Sequence, residues 1–137
     1  MIERIKPDVI HAHFAYPEGW VTHIARLGKD IPFIVTLHGY DILVEPSVGY
    51  GIRLRKRYDA IVREVLRDAD RIVVASHAIY EEAAKLCDSR KIIVIPNGVD
   101  TDRFNPRLDG SLIRKRYGID EKHLLCLLQG IIGLYME

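Results

Sequence analysis

Between Pro32 and Asp41 the chain reads PFIVTLHGYD, a short apolar and β-branched run that leads directly into a turn. Such a run is typical of a strand covered on both faces, because its apolar residues are nearly continuous instead of alternating with polar ones. The glycine at position 39 allows a tight turn. We therefore predict a buried strand from Pro32 to His38 that presents His38 and Asp41 at its carboxyl end.

Four other short apolar runs have the same character, and longer amphipathic stretches separate them. The corresponding predicted strands are Asp8 to Phe14, Arg71 to Ser76, Lys91 to Ile95 and His123 to Leu128. Strands that alternate with helices are typical of repeated βαβ units and a parallel sheet. We predict an α/β fold, with a Rossmann-like, open and mostly parallel sheet of about five strands and flanking helices.

The helical spacing of apolar residues predicts the segments between the strands. The predicted helices are Pro17 to about Lys29, about Ile52 to Asp68, Ser76 to Leu86, and Asp109 or Ser111 to Arg116, with Gly118 as the stop. The stretch from Ile42 to Gly51 contains Pro and Gly and is predicted to be a loop. In an open α/β sheet the loops that follow the strands form the ligand crevice, so site residues are expected there.

The composition excludes several classes of protein. With 20 Lys and Arg against 19 Asp and Glu, the net charge of +1 provides no field that would attract nucleic acid. The longest apolar run, Leu124 to Leu128, is too short to span a membrane, and the N-terminus lacks the apolar core of a signal peptide. We therefore predict a cytoplasmic protein without a transmembrane segment, in which Cys87 and Cys126 are reduced, buried thiols.

Two histidines lie at the end of the first predicted strand. His11 and His13 are two residues apart, so their rings should point to one face of the strand. Together with His38 and Asp41 they could hydrogen-bond the hydroxyl groups of a polyol. Two other interpretations remain open at this point. The rings could simply bond backbone groups, with Asp41 closing an Asx-turn, or the four side chains could hold the metal of a small hydrolase.

Other loop and helix segments carry weaker signals. The fourth predicted strand runs into Asn97 and Gly98, a pair that marks a turn. The basic run from Arg53 to Arg57 could contact phosphate or anionic lipid headgroups, but its position on an amphipathic helix also fits a solvated face. The segment from Gly49 to Leu54 begins like a dinucleotide fingerprint but lacks its third glycine and follows a loop instead of a strand.

Four motifs occur in one order along the chain and are informative together. They are Lys6-Pro7-Asp8-Val9-Ile10-His11-Ala12-His13, Thr36-Leu37-His38-Gly39-Tyr40-Asp41, Asp70-Arg71-Ile72-Val73-Val74-Ala75-Ser76, and Val94-Ile95-Pro96-Asn97-Gly98-Val99-Asp100 through Phe104-Asn105-Pro106. The combination resembles the N-terminal domain of the family 4 retaining glycosyltransferases over roughly residues 6 to 118. This resemblance implies the GT-B architecture, in which an N-terminal domain binds the acceptor and a C-terminal domain holds the nucleotide-sugar.

The resemblance also implies roles for individual residues. His13 would be the catalytic residue, in contact with the acceptor or the transferring sugar. The implied substrate-binding residues are His11, His38, Gly39, Asp41, Ser76, Asn97 and Gly98. Transfer with retention in this family is thought to need no protein nucleophile, because the leaving diphosphate helps to deprotonate the acceptor. No metal site is expected, and a nucleotide-sugar is expected only with a complementary donor domain.

The departures from the family pattern lead to further expectations. Residues 1–118 would be a partial acceptor-binding domain that lacks the first strands, and residues 119–137 the truncated start of the donor-domain strand, with Ile131 in place of an arginine. Without a donor domain the chain is expected to be inactive alone. Its expected partners are another copy of itself or a separate donor-domain chain, and a sugar or lipid-linked acceptor. The alternative is a non-catalytic, self-associating module or gene remnant.

Overall fold

The computed structural model describes residues 2–123. Its contacts divide the chain into two compact units, with the boundary between Gly98 and Val99. The first unit holds the sheet, and the second contains the segment from Val99 onward. No helix within residues 2–123 is long and apolar enough to cross a bilayer.

The first unit is built on a parallel sheet of four strands. These are β1 (Ile10–His13), β2 (Phe33–Leu37), β3 (Arg71–Val74) and β4 (Ile92–Val94), in the spatial order β1-β2-β3-β4. Each neighbouring pair is parallel, which confirms the predicted α/β class and open sheet. The predicted strand from His123 to Leu128 lies outside the described residues, apart from His123.

Within residues 2–123, five α-helices accompany the strands. They are α1 (Ile2–Ile5), α2 (Trp20–Arg26), α3 (Lys56–Asp68), α4 (His77–Ala84) and α5 (Ser111–Tyr117). Three short 3₁₀ turns lie between them, at Pro46–Val48, Ile52–Leu54 and Ser89–Lys91. The loop predicted from Ile42 to Gly51 therefore contains one 3₁₀ turn and is otherwise without helix or strand, except for a single bridge between Glu45 and Tyr50.

Two predicted helices begin later than their apolar spacing indicates. The segment from Ile52 to Asp68 is divided at Arg55, whose backbone is extended, so that a 3₁₀ turn precedes α3. The helix predicted from Pro17 begins as α2 at Trp20, because residues 15–19 form a wide turn in which Tyr16 is not helical. Both differences lie next to loops at the carboxyl edge of the sheet, where tertiary contacts set the backbone.

The core lies between β2, β3 and α3. Phe33, Val35 and Leu37 of β2 are completely buried, as are Val62 and Val65 of α3. The apolar residues whose helical spacing predicted this helix therefore form the buried face of α3. Because apolar burial is the main favourable contribution to folding, this layer holds β1 and β2 in a fixed register on which the candidate site depends.

One glycine allows the turn after β1 to pack against this core. A Cβ at Gly19 would lie 2.9 Å from the carbonyl oxygen of Phe14 and 3.0 Å from Cγ1 of Val65. The Gly19 N–H donates to that same Phe14 oxygen at 3.0 Å. Any larger residue would push the turn away from α3, so the path of the chain from β1 to α2 depends on this close approach.

Candidate functional site

A cluster of three imidazoles lies at the carboxyl ends of β1 and β2. His13 is the last residue of β1 and pairs in register with Thr36, and His38 follows the end of β2 directly. Nδ1 of His13 lies 2.9 Å from Nε2 of His38, within hydrogen-bonding distance. The ring of His13 also stacks on His11, with 4.7 Å between centroids, and on His38, with 5.1 Å. The three exposed rings thus form one stacked column, which we call the imidazole cluster.

The hydrogen bond between His13 and His38 restricts where protons can lie. One of the two facing nitrogens must carry a hydrogen and the other must offer a lone pair. If both rings were protonated, two N–H groups would face each other and the bond would be lost. The two rings therefore act as a unit that can donate or accept a proton at its outer nitrogens, which suits contact with hydroxyl groups.

His11 is the member of the imidazole cluster that is held as a neutral ring. Its Nε2 lies 2.7 Å from the hydroxyl oxygen of Thr36 on the neighbouring strand. Partial desolvation of the ring, and secondly the charge that a protonated His13 would place beside it, lower the pKa of His11 below its ordinary value of 6.5. His11 therefore supports His13 as an uncharged partner near neutral pH.

Phe14 packs against the imidazole cluster, and the sequence did not predict it as a site residue. It follows His13 with a positive φ of 69°, an uncommon conformation for a residue with a Cβ. Its ring packs on His38 at 4.5 Å between centroids, and its N–H donates to the Thr36 carbonyl at 2.8 Å. The contacts with His38 and Thr36 thus stabilise the positive φ of Phe14. With this backbone conformation, Phe14 borders the imidazole cluster on the side of the turn after β1.

Asp41 organises the backbone around the cluster. Its Oδ2 accepts the N–H of Ala15 at 2.8 Å, and its Oδ1 accepts the N–H groups of His38 at 3.0 Å and Gly39 at 3.1 Å. The residue is only 1% exposed, so the carboxylate faces backbone donors and not solvent. It joins the turn after β1 to the turn after β2. This placement is similar to the interpretation in which Asp41 only closes a turn, although the N–H groups that it accepts belong to residues before it in the chain. Contact between Asp41 and an acceptor stays a prediction.

The arrangement does not form the ligand set of the hydrolase alternative. Within residues 2–123, no group of three or more His, Cys, Asp or Glu side chains is placed to hold a metal ion. Both oxygens of Asp41 accept backbone N–H groups, Oδ2 from Ala15 and Oδ1 from His38. The four side chains named for that alternative therefore do not converge on one point.

The other predicted site residues lie at the ends of β3 and β4. Ser76 is exposed, and its hydroxyl accepts the N–H of Ile79 at 3.4 Å as the N-cap of α4, as the sequence predicts. Asn97 and Gly98 are exposed in a segment without regular structure after β4. In the described part of the chain, no hydrogen bond joins these three residues to the imidazole cluster. Their contact with a substrate stays a prediction.

The arginines of the basic run from Arg53 to Arg57 differ in their surroundings. The Arg53 side chain is largely buried, where its Nε donates to Asp59 at 2.8 Å and its Nη1 donates to the carbonyl of Ile42 at 2.6 Å. Burial by itself raises the pKa of Asp59, but hydrogen bonds from Arg63 and Arg53 lower it further than burial raises it. Arg53 therefore anchors the loop after β2, whereas Arg55 is exposed to solvent.

Comparison with known proteins assigns the chain to a family. The model of the family described as Glycosyltransferase Family 4 matches residues 1–103. TuaC of Bacillus subtilis, whose name refers to teichuronic acid biosynthesis, is 35% identical over 127 residues, which are 90% of this chain and 30% of the relative. A D-inositol 3-phosphate glycosyltransferase of Geodermatophilus obscurus is 34% identical, over 91% of this chain and 28% of the relative.

A third relative has a different named product. The N-acetyl-alpha-D-glucosaminyl L-malate synthase of Bacillus anthracis is 27% identical, over 91% of this chain and 32% of its own length. The chain therefore spans about a third or less of the curated relatives it matches. The open parallel sheet with flanking helices is consistent with part of a GT-B domain. The chain belongs to glycosyltransferase family 4, and glycosyl transfer is the chemistry of its relatives.

Proposed function

We propose that this chain supplies the acceptor side of an enzyme that transfers a sugar from a nucleotide-sugar to a hydroxyl group with retention of configuration. The observation that carries the proposal is the hydrogen-bonded pair of His13 and His38, exposed at the carboxyl ends of adjacent parallel strands. In open α/β sheets this edge is where ligands bind. Membership of the family supports the same reaction class.

Within this proposal the imidazole cluster contacts the reacting groups. His13 is the catalytic residue: its outer nitrogen meets the acceptor hydroxyl or a hydroxyl of the transferring sugar. His38 and His11 hold its ring in place, and Gly39 keeps the turn beside it compact. Asp41 holds that turn from below through its backbone hydrogen bonds. Ser76, Asn97 and Gly98 would contact more distant parts of the substrates, because they follow the next two strands.

The proposal also requires residues from outside this chain. A departing nucleoside diphosphate needs cationic and N–H groups aimed at its developing charge, and this electrostatic stabilisation is among the largest contributions to catalysis. The imidazole cluster does not provide such a set. We propose that these groups come from a donor-binding part, in the same polypeptide or in a second one, and that residues 1–137 alone do not transfer sugar.

The test compares the pure 137-residue chain with the same chain recovered from its own host together with its natural companions. Both are offered radiolabelled nucleotide-sugars with extracts of host lipids and polyols. We expect transfer only by the recovered assembly, and about 100-fold slower transfer after His13→Ala in it. His77→Ala is the matched control, because His77 is exposed on α4, and it should leave the rate unchanged.

Each of the opposite results overturns part of the proposal. Transfer by the pure chain would contradict the need for an outside donor part. An unchanged rate after His13→Ala would remove the catalytic role of His13. A recovered assembly that transfers no sugar from any nucleotide-sugar would overturn the proposed function.

A second candidate function is a non-catalytic module that associates with a second copy of itself. An apolar groove of about 370 Å³ beside β1 favours it, because Val9 and Val21 on its wall are 48% and 63% exposed. β1 is an outer strand of the described sheet, and outer strands readily pair with another chain. Sedimentation from micromolar to millimolar concentration should show a dimer that Val21→Glu dissociates. A monomer at every concentration would eliminate this candidate.

A further inference from the structure

A small cavity opens beside the loop that follows β2. Its volume is about 240 Å³, below the range of roughly 300–1,000 Å³ usual for drug-sized ligands, which suits a single small ring. The lining residues are Tyr16, Tyr40, Gly49, Gly51, Ile52, Leu54, Arg55 and Tyr58. Tyr16 follows β1 by three residues and Tyr40 follows β2 by three, so the cavity lies at the same edge of the sheet as the imidazole cluster.

The walls of the cavity are held by backbone contacts. Glu45 and Tyr50 exchange two backbone hydrogen bonds, at 2.9 and 3.0 Å, and so close the loop on itself. The N–H of Ile52 donates to the carbonyl of Tyr40 at 3.0 Å, which ties the end of the loop to its beginning. A loop constrained at both ends pre-organises a binding site and lowers the entropy cost of binding.

Gly51, which lines the cavity, and Arg53, which lies outside its lining, complete this support. Gly51 has a φ of 106°, and a Cβ there would lie 2.1 Å from the carbonyl oxygen of Leu43, so no other residue fits this position without displacing the loop. Arg53 holds the Ile42 carbonyl and is neutralised by Asp59. The Arg53 guanidinium therefore pairs with groups of the fold and is not available to bind a ligand.

Tyrosine dominates the lining of the cavity. Tyr16 packs against Tyr58 with 4.9 Å between ring centroids, and Tyr40 packs edge-on against Tyr50 at 5.5 Å. Tyrosine offers an apolar ring face together with a hydroxyl that both donates and accepts hydrogen bonds. A hydroxylated ring, with C–H groups on its faces and hydroxyls at its rim, matches this combination.

The charge of the cavity is positive. Arg55 is exposed at its wall, and within residues 2–123 its guanidinium has no carboxylate partner, unlike that of Arg53. No Asp or Glu is among the lining residues in this part of the chain. A guanidinium binds phosphate and carboxylate with two parallel hydrogen bonds, so an anionic group on the ligand is favoured over a neutral or cationic one.

We infer that this cavity binds the sugar acceptor, and that the acceptor is a hydroxylated ring that carries an anionic group such as phosphate or carboxylate. Arg55 pairs with the anionic group, and Tyr16, Tyr40 and Tyr58 surround the ring. The identification of the ligand as the sugar acceptor rests on the proposed function. Binding of the ligand in this cavity does not depend on any transfer step.

The experiment measures binding to the 137-residue chain by NMR, with glucose 6-phosphate as the probe and glucose and inorganic phosphate as comparisons. Glucose 6-phosphate should shift the amide signals of Gly49, Gly51 and Tyr40 and the Nε–H signal of Arg55. Loss of a charged hydrogen-bond partner should weaken its binding about tenfold or more in Arg55→Gln. Arg57→Gln removes the same charge from a neighbouring residue outside the cavity and should leave the affinity unchanged.

The possible outcomes separate the two proposals. Unchanged affinity in Arg55→Gln, or no shift at these positions, would overturn the inference even if the recovered assembly transfers sugar. Inorganic phosphate that binds as tightly as glucose 6-phosphate would overturn recognition of the ring. Glucose that binds as tightly would overturn recognition of the anion. Binding of the probe without any transfer by the assembly would leave the cavity assigned and overturn the proposed function alone.

Discussion

Three backbone N–H groups converge on the carboxylate of Asp41, and this explains how two separate turns hold the imidazole cluster. The donors belong to Ala15, His38 and Gly39, so one side chain joins the turn after β1 to the turn after β2. A buried carboxylate is stable only when such donors satisfy it. Gly39 assists because its φ of 111° brings its own N–H and that of His38 to the same oxygen.

The first prediction concerns Asp41→Asn. The amide would turn an NH₂ group toward at least one backbone N–H, so a buried donor loses its acceptor at a cost of about 2–3 kcal/mol. We expect the free energy of unfolding in urea to fall by that amount. Asp8→Asn is the control, because Asp8 is exposed, and it should change stability by less than about 0.5 kcal/mol. Equal effects of the two substitutions would contradict the role given to Asp41.

The second prediction concerns the tautomer of His13. At about pH 9, where imidazoles are neutral, the bond to His38 should make the tautomers of the two rings complementary, so that His13 carries its hydrogen on Nδ1 to the extent that His38 lacks one on Nε2, as the ¹⁵N shifts of both rings report. His38→Ala should change the tautomer populations of His13, and His38→Gln, which keeps a hydrogen-bonding group, should change them less. His77→Ala should leave the His13 signals unchanged. Identical His13 signals in the wild type and His38→Ala would show that the two rings are independent.

At the scale of elements, an ion-pair network joins α2 to α3. His23 is buried on α2, and its Nδ1 lies 2.9 Å from Oδ2 of Asp68 at the end of α3. Nη1 of Arg26 donates to the same oxygen at 2.8 Å, and its Nε donates to the Ile31 carbonyl at 3.0 Å. These bonds fix α2 against α3 and orient the segment that leads into β2. Sequence periodicity did not indicate them, because it reports the spacing of apolar residues and the three side chains are polar.

The third prediction is the pH dependence of this contact. Burial by itself raises the pKa of Asp68, but hydrogen bonds from His23 and Arg26 outweigh it and hold that pKa below the ordinary value of 3.8. A carboxyl group whose pKa is lower in the folded state stabilises the fold above its unfolded pKa, and that contribution is lost as pH falls through the folded pKa. We therefore expect the free energy of unfolding to decrease as pH falls below about 5.

The measurement is chemical denaturation at a series of pH values between neutral and strongly acidic. Asp68→Asn should lower stability by about 1 kcal/mol at neutral pH and should flatten the decline in acid. Glu81→Gln on the exposed face of α4 is the matched control and should leave the slope unchanged. A slope that is the same in Asp68→Asn would mean that other carboxyl groups cause the acid sensitivity.

At the scale of the whole molecule, the chain has two compact units with a boundary after Gly98. Residues 95–100 have neither helix nor strand, and Val99 is 67% exposed. The predicted division at residue 118 stays a prediction, because the family resemblance and not a structural contact defines it. The boundary at Gly98 instead follows the end of the parallel sheet.

The fourth prediction is that limited proteolysis cuts the chain first at this boundary. A protease that cleaves before exposed apolar residues should cut before Val99, because exposed segments without regular structure are cleaved most readily. The fragment of residues 1–98 should keep a cooperative thermal transition, measured by circular dichroism, because the apolar core lies within it. Val99→Asp should suppress this cut. An earlier cut within α3 or the sheet would contradict the assignment of the units.

Much of the fold could be predicted because its signals are local. The strands β1 to β4 are short apolar runs, and each lies within the segment predicted for it, two or three residues shorter because ladder hydrogen bonds end before the apolar run does. The N-cap at Ser76 and the stop at Gly118 were likewise visible in neighbouring residues. The division of the helix at Arg55 was not, because Arg53 sets it by contacting Ile42 and Asp59.

What the amino-acid sequence determined by itself is the α/β class, the parallel strands, the face shared by His11 and His13, and the resemblance to the family. These depend on side-chain type and on spacing within about ten residues. Tertiary structure alone decided that His13 bonds to His38, that Asp41 accepts the N–H of Ala15, and that Arg55, which has no carboxylate partner within residues 2–123, lies beside three tyrosines. The physical reason is that His13 and His38 are 25 positions apart and Ala15 and Asp41 are 26 positions apart, while Arg55 is one of several exposed arginines that the sequence alone does not distinguish. Only the register of packed strands and the path of the loops bring such residues together.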